Sequence, residues 1–130
     1  MKTSRRLLPT FKIERAIQRH TRIIVTHYGE LDAICVVDEE CPEPKSGEVR
    51  VRVLAAGVSL PDLMVREGIH PETPPLPFTP GWDLVVEVDR LGAGVSGGEP
   101  GQMVAALPIR GAYEEFVCLP PDELVPVPSG

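Results

Sequence analysis

The stretch Leu76-Pro-Phe-Thr-Pro-Gly-Trp-Asp-Leu84 brings an indole and a carboxylate, Trp82 and Asp83, to one defined place. Pro75, Pro77 and Pro80 stiffen its approach, because proline holds φ at about −65° and donates no backbone hydrogen bond. Each also biases the residue before it toward extended geometry. Gly81 then reaches backbone angles that other residues adopt only at a cost. Such a mount forms either the wall of a site or the corner of a core. Other chemistry-bearing residues are scattered. Cys35, Cys41 and Cys118 include no C-x-x-C pair, and His20, His27 and His70 lie far apart in sequence. No metal or dithiol motif is legible from that spacing.

One literal motif is set aside. Gly92-Ala-Gly94-Val-Ser-Gly97 matches the dinucleotide-binding string, with Glu114 and Glu115 about twenty residues on, where a ribose-binding acid is expected. That chemistry needs a helix whose N-terminus meets the pyrophosphate. Here Gly98-Glu-Pro-Gly101 follows, which starts no helix. The string is expected to form a hairpin-type turn.

The elements that must position Trp82 and Asp83 are short strands. Ile23–Tyr28 and Ala33–Asp38 read as a hairpin around Gly29–Asp32. Glu48–Ala55 alternates at period two, so Val49, Val51 and Val53 are expected in the core and Arg50 and Arg52 outside. Pro61–Gly68 carries a helix signature, with Ser59 or Leu60 near the cap, proline early and glycine at the end. Strands are expected at Leu84–Leu91, Gln102–Leu107 and Tyr113–Leu119. The prolines of Leu124-Val-Pro-Val-Pro-Ser-Gly130 restrict that tail to an edge or a linker. Many short strands, frequent turns and one or two short helices indicate a mainly β fold, a small barrel.

Composition sets the outer bounds. The 130 residues suit one domain, and a hydrophobic fraction of 42% supports a packed core. The head, residues 1–22, holds seven Lys/Arg against Glu14 alone. The rest carries six basic and eighteen acidic side chains, a net charge of −12. An acidic body repels nucleic acid, whose binding rests on phosphate neutralisation. Residues 1–21 read as a basic, poorly ordered extension. No apolar run approaches the roughly 20 residues of a membrane helix, and the head lacks the apolar stretch of a secretory signal. An odd cysteine count suits a reducing compartment, so a cytoplasmic protein with no membrane or nucleic-acid partner is expected.

Over residues 22–130 the chain resembles the N-terminal, GroES-like domain of the medium-chain dehydrogenase/reductase superfamily. The resemblance lies in Glu48-Val-Arg-Val-Arg-Val-Leu-Ala-Ala-Gly-Val-Ser59 with Asp62, and in Leu76-Pro-Phe-Thr-Pro-Gly81. Val86-Glu-Val-Asp-Arg-Leu-Gly-Ala-Gly-Val95, Pro100-Gly-Gln-Met-Val104, Gly111-Ala-Tyr-Glu-Glu-Phe116 and the closing Leu-Val-Pro-Val-Pro continue it. It implies a partly open β-barrel forming one wall of a cleft, with a Rossmann domain carrying NADP(H) or NAD(H) as the other. Zinc-dependent members place cysteine at the Ser59 position and Gly-His-Glu at Gly81-Trp82-Asp83. Serine and indole are poor zinc ligands, and no cysteine lies between Asp89 and Gln102. The likeness therefore points to the zinc-independent, quinone oxidoreductase-like branch, which reduces quinones, enones or enoyl thioesters with NADPH.

That branch usually has asparagine at position 59 and tyrosine at position 64, both near the nicotinamide. It implies catalytic roles for Ser59 and Asp62, and a cofactor-side wall of Ser59, Met64 and Arg66. Phe78 and Trp82 are the implied substrate-cleft residues. Local alternatives stay open: Asp62 as a first-turn carboxylate favoured by the helix dipole, Trp82 as core, and Arg66 on a solvated helix face. Residues 1–130 would lack the nucleotide-binding domain and are expected to be inactive alone. NADPH is expected in the full-length enzyme, with a small carbonyl substrate and room for a homodimer. The competing expectation is a free-standing β-barrel that binds or assembles without catalysis.

Overall fold

The structure is a computed structural model, and residues 17–108 and 110–129 are described. Its first unit is an antiparallel hairpin of β1 (Arg19–Val25) and β2 (Ile34–Glu40), joined through a 3-10 turn at Leu31–Ala33. Strand β1 takes in Arg19, His20 and Thr21, which the sequence reading assigned to the basic extension. The strand starts early because each of these residues has a partner on β2, Glu40, Glu39 and Asp38, and each partner is acidic. The expected extension otherwise falls on residues 1–16, outside the described residues.

The second unit is a five-stranded antiparallel sheet in the order β6-β3-β4-β5-β7. It comprises β3 (Val49–Ala56), β4 (Leu84–Leu91), β5 (Met103–Ala106), β6 (Phe116–Leu119) and β7 (Val125–Pro126). Two isolated bridges, Arg22 with Glu114 and Val25 with Phe78, stitch β1 to this sheet and curl the whole into a partly open barrel. The two-residue β7 sits at the sheet edge, where a proline costs no ladder bond.

The main core joins Val49, Val51, Leu84, Val86, Val88, Val104, Val117 and Leu119 with Ala106 and Ala112. Val53, expected inside, is half-buried against it. The alternation in β3 fails at Arg50, which was expected outside and is 1% exposed. Its side of the sheet is covered too. The Arg50 guanidinium bonds Asp89 Oδ2 at 2.6 Å, the Pro42 carbonyl at 3.1 Å and Glu43 Oε1 at 3.3 Å, and it lies over the Phe116 ring. The segment after β2 folds back over this face, so a period-two reading with one wet side does not hold here. A register shift between Arg50 and Val51 accompanies the change.

Helix α1 (Leu60–Glu67) starts at Ser59 and ends at Gly68 in the left-handed region, φ 78°. It packs Val65 against Val25, Ala33 and Phe78, a second, smaller core under the hairpin. Residues 92–101 form a turn between β4 and β5. No helix follows Gly97, and the backbone after Gly92 passes through positive φ at Gly94, Gly97, Gly98 and Gly101. Gly92 is fixed by close approach: a Cβ there would stand 2.2 Å from the Lys45 carbonyl oxygen.

Candidate functional site

The stretch around Phe78–Asp83 is a seam between the two units. Val25 and Phe78 exchange backbone bonds, N to O at 2.8 Å and 3.3 Å. One and two residues on, the carbonyls of Thr79 and Pro80 accept from the amides of Gly111 and Tyr113 at 2.8 and 3.1 Å. Gly81, φ 110°, lies flat against Ala112 and the Tyr113 ring. The prolines keep this segment extended so that it can pair on both sides, and the Leu76–Pro77 peptide is cis. Trp82 is half-buried, its ring meeting His70 edge-on at 5.1 Å, and its indole N–H is buried without an acceptor. Asp83 packs its carboxylate against Gly57, where any Cβ would stand 2.4 Å from a carboxylate oxygen. A groove of about 710 Å³ opens beside this pair, walled by Ala55, Ala56, Asp83, Ala106, Glu123 and Val125.

Ser59 and Asp62 come together. Asp62 Oδ2 accepts from the Ser59 backbone N–H at 2.9 Å and from the Ser59 hydroxyl at 2.9 Å. Serine at the cap and a carboxylate three residues later satisfy helix donors reciprocally, a contact of about 1 kcal/mol. Tyr113 completes the group. Its hydroxyl lies 3.1 Å from the same Asp62 oxygen and 2.9 Å from the Gly57 carbonyl. Burial, reinforced by the Asp62 carboxylate and by Asp83, pushes the Tyr113 phenol up, so it remains a protonated donor. Asp62 is 5% exposed. Tyr113 was read only as part of a strand and of the 111–116 motif. The sign that could have found it is Gly111 before it, a turn glycine that aims the next side chains back across the seam.

The other expected site residues are dispersed. Met64 is half-buried, two positions beyond Asp62 on α1. Arg66 is not on a solvated face: its Nε–H donates to the Gly29 carbonyl at 3.1 Å and its other end approaches Glu67. It ties the helix to the hairpin turn, which leaves it poorly placed for a cofactor phosphate. Phe78, expected at a substrate cleft, is 7% exposed and belongs to the small core with Val25 and Val65. Its backbone bonds to Val25 turn its ring under the hairpin.

A further carboxyl stands out on the seam itself. Burial pushes Glu114 up to about 7, against the pull of Arg22 and with a further push from Glu39. An unfolded glutamate titrates at about 4.3, so the folded state holds this proton more tightly. Stability from this group is complete below about pH 4 and is lost as pH rises through about 7. Glu114→Gln is therefore expected to raise stability at pH 8 by roughly 1–2 kcal/mol, and to be neutral near pH 4. Urea midpoints of both proteins at the two pH values measure it.

The donor set does not suit zinc. Serine stands at 59 with its hydroxyl proton directed at Asp62, and an indole N–H, which only donates, stands at 82. Among the described residues, no three His, Cys, Asp or Glu side chains gather around a common point. A phosphate cradle does not form at 92–97 either, since a turn and not a helix follows those glycines.

The fold and this seam define a barrel domain of the dehydrogenase type, with a capped helix where zinc enzymes place a thiolate. Residues 45–129 match the model of the alcohol dehydrogenase GroES-like domain. The chain belongs to that family. The human protein named synaptic vesicle membrane protein VAT-1 homolog-like is 33% identical over 112 residues, 86% of this chain and 27% of that protein. Rat quinone oxidoreductase is 33% identical over 93 residues, 71% of this chain and 28% of the enzyme. The crystal structure of the human VAT-1 homolog-like protein superimposes with a TM-score of 0.80 at 32% identity, over 85% of this chain and 36% of that one. A mycobacterial protein solved with NADPH gives 0.73 at 31%, over 83% and 34%. These relatives put the chain on the quinone oxidoreductase-like branch of the medium-chain dehydrogenase/reductase superfamily. The chain spans about a quarter of the length of the curated relatives it matches.

Proposed function

We propose that the chain is the substrate-side domain of a zinc-independent, NADPH-dependent oxidoreductase that reduces a quinone, an enone or a similar small carbonyl compound by hydride transfer. The observation that carries this reading is the pairing of Ser59 with Asp62 at 2.9 Å, with serine at 59 and tryptophan at 82 standing at the positions where zinc-dependent members hold metal ligands. The similarity to quinone oxidoreductases and to a protein solved with NADPH supports the choice of cofactor and substrate class. NADPH supplies the hydride when bound, and a second domain carries it. That division makes residues 1–130 inactive alone. The same reading makes the enzyme cytoplasmic and allows a full-length homodimer. Among the described residues, no helix is long and apolar enough to cross a membrane.

The roles of this chain's residues follow from their bonds. The Ser59 hydroxyl donates to Asp62 Oδ2. With its proton committed to Asp62, the Ser59 hydroxyl is left as an acceptor, suited to a ligand hydroxyl or amide N–H rather than to a developing oxyanion. Asp62 and Tyr113 position Ser59 and move no proton themselves. Met64 and Trp82 supply apolar, water-excluding surface, which strengthens the electrostatics of whatever binds beside them. The test is NADPH consumption by the full gene product. Oxidation of NADPH that depends on an added quinone is expected, and its absence from the isolated chain. Activity confined to alcohol oxidation would overturn the reading.

A further inference from the structure

Two adjoining cavities, of about 470 and 250 Å³, lie against one face of the β1–β2 hairpin and share Ile23 and Tyr113. Together they make one open trough between the hairpin and the segment that runs from the end of β3 into α1. Its floor follows β1 from Thr21 through Ile23 to Val25, about 13 Å at roughly 3.3 Å per residue. Its rims are apolar and reach solvent: Leu31 is 74% and Val36 68% exposed, and Leu54, Val58 and Leu63 are exposed as well. So much accessible apolar side chain along one line marks a binding surface. Polar surface appears only in the wider cavity, and its free group is an acid. Glu115 is exposed there. Its Oε2 accepts from the Thr21 amide at 3.2 Å, and no donor among the described residues meets Oε1. Both arginines on the trough are engaged, Arg22 by Glu39 and Thr79, and Arg66 by the Gly29 carbonyl.

We propose that this trough binds a single-chain amphiphilic cation, an alkylamine, with its tail along β1 between Val36 and Leu54 and its ammonium group at Glu115. Shape selects the tail, because the trough is elongated and wholly apolar toward α1. Charge selects the head. Residues 23–130 carry a net charge of −12, Glu114 lines the same end as Glu115, and neither arginine is free to meet a carboxylate. An ion pair at an exposed glutamate adds only a modest preference, so most of the affinity comes from buried methylenes. Neither Ser59 nor Trp82 lines the trough. Binding here needs no nucleotide and no second domain, so it stands or falls independently of the proposed hydride chemistry.

The test titrates octylamine, octan-1-ol and octanoate into the isotope-labelled chain at neutral pH, following backbone amides by NMR. Octylamine is expected to shift amides of residues 21–25, 34–36 and 113–115. It should bind roughly threefold or more tightly than octan-1-ol, with octanoate weakest. Butylamine, too short to run the trough, should bind at least about tenfold more weakly than octylamine. Glu115→Gln keeps an acceptor for the Thr21 amide and should make octylamine and octan-1-ol equal. Val36→Lys, on the exposed rim, sets a tethered cation in the trough. It should weaken octylamine binding at least about tenfold while leaving the remaining amide spectrum native. Octanoate binding as tightly as octylamine overturns the proposal. So do shifts confined to the groove at residues 105–107 and 123–125, or a preference for octylamine that survives Glu115→Gln. The same amides shifting with protein concentration alone would put a second copy in the trough and overturn it as well.

Discussion

Arg50→Ala is expected to destabilise the fold by about 3–5 kcal/mol, a large part of the 5–15 kcal/mol typical of a whole domain. The guanidinium is almost wholly buried and organises four partners: Asp89 at 2.6 Å, the Pro42 carbonyl, Glu43 and Gln18. It also stacks over Phe116 at 5.4 Å. Removing it leaves the Asp89 carboxylate and the Pro42 carbonyl without their donor, and opens a void beside Cys41. The cost comes chiefly from those abandoned groups rather than from the net value of the ion pair. Arg50→Lys should recover only part of it, because one ammonium cannot span a fork that reaches Asp89 and Pro42 together. Arg52→Ala is the control. It sits two residues on, pairs with Glu87 at the exposed surface, and should cost under about 1 kcal/mol. Urea unfolding of the three variants measures all of this. Near-equal losses at positions 50 and 52 would contradict the buried-cluster account.

Gly81→Ala is expected to cost about 3 kcal/mol or more, for two independent reasons. The backbone is at φ 110°, where a side chain is strained by about 1–3 kcal/mol. The new methyl would also stand 2.5 Å from the Ala112 Cβ and 2.9 Å from the Tyr113 ring. Overpacking of that kind costs about 1–3 kcal/mol. The neighbours cannot retreat freely, since residues 79–80 and 111–113 are bonded to each other through the backbone. Gly94→Ala separates the two causes. Gly94 is at φ 79° with open space around its Cβ direction, so only the strain remains. The alanine at 81 should in addition push Tyr113 off Asp62, visible as altered amide shifts at Ser59 and Asp62. A variant as stable as the parent would remove the seam from the account.

Alternation and the glycine and proline at their ends located β3, β4, β5, β6 and the hairpin, while the tail that forms β7 stays between an edge and a linker. The same reading also found the helix between its cap and Gly68. It failed where a second layer covers a face that alternation assumes is wet, as at Arg50. It failed again where a contact joins residues far apart in sequence. Tyr113 reaches Gly57 and Asp62 across more than fifty positions, and nothing in the local pattern reports that. Ser59 near the cap and Asp62 in the first turn were each legible, but their bond to one another comes from the structure. The burial of Phe78 in the small core was not legible, because an aromatic beside a proline-rich loop gives no sign of which side it packs on. The paired strand beside it, β1, decides that. Arg66 failed similarly, since its acceptor, the Gly29 carbonyl, belongs to a turn thirty-seven residues earlier.

The most direct test of the zinc-independent reductase reading follows the hydride itself. The full gene product is supplied with NADPH deuterated at the transferable position of the nicotinamide ring, an enone substrate and a strong metal chelator. Deuterium is predicted on carbon in the saturated product, at a rate that the chelator leaves unchanged. Product without deuterium, or turnover that the chelator abolishes and added zinc restores, would contradict the account.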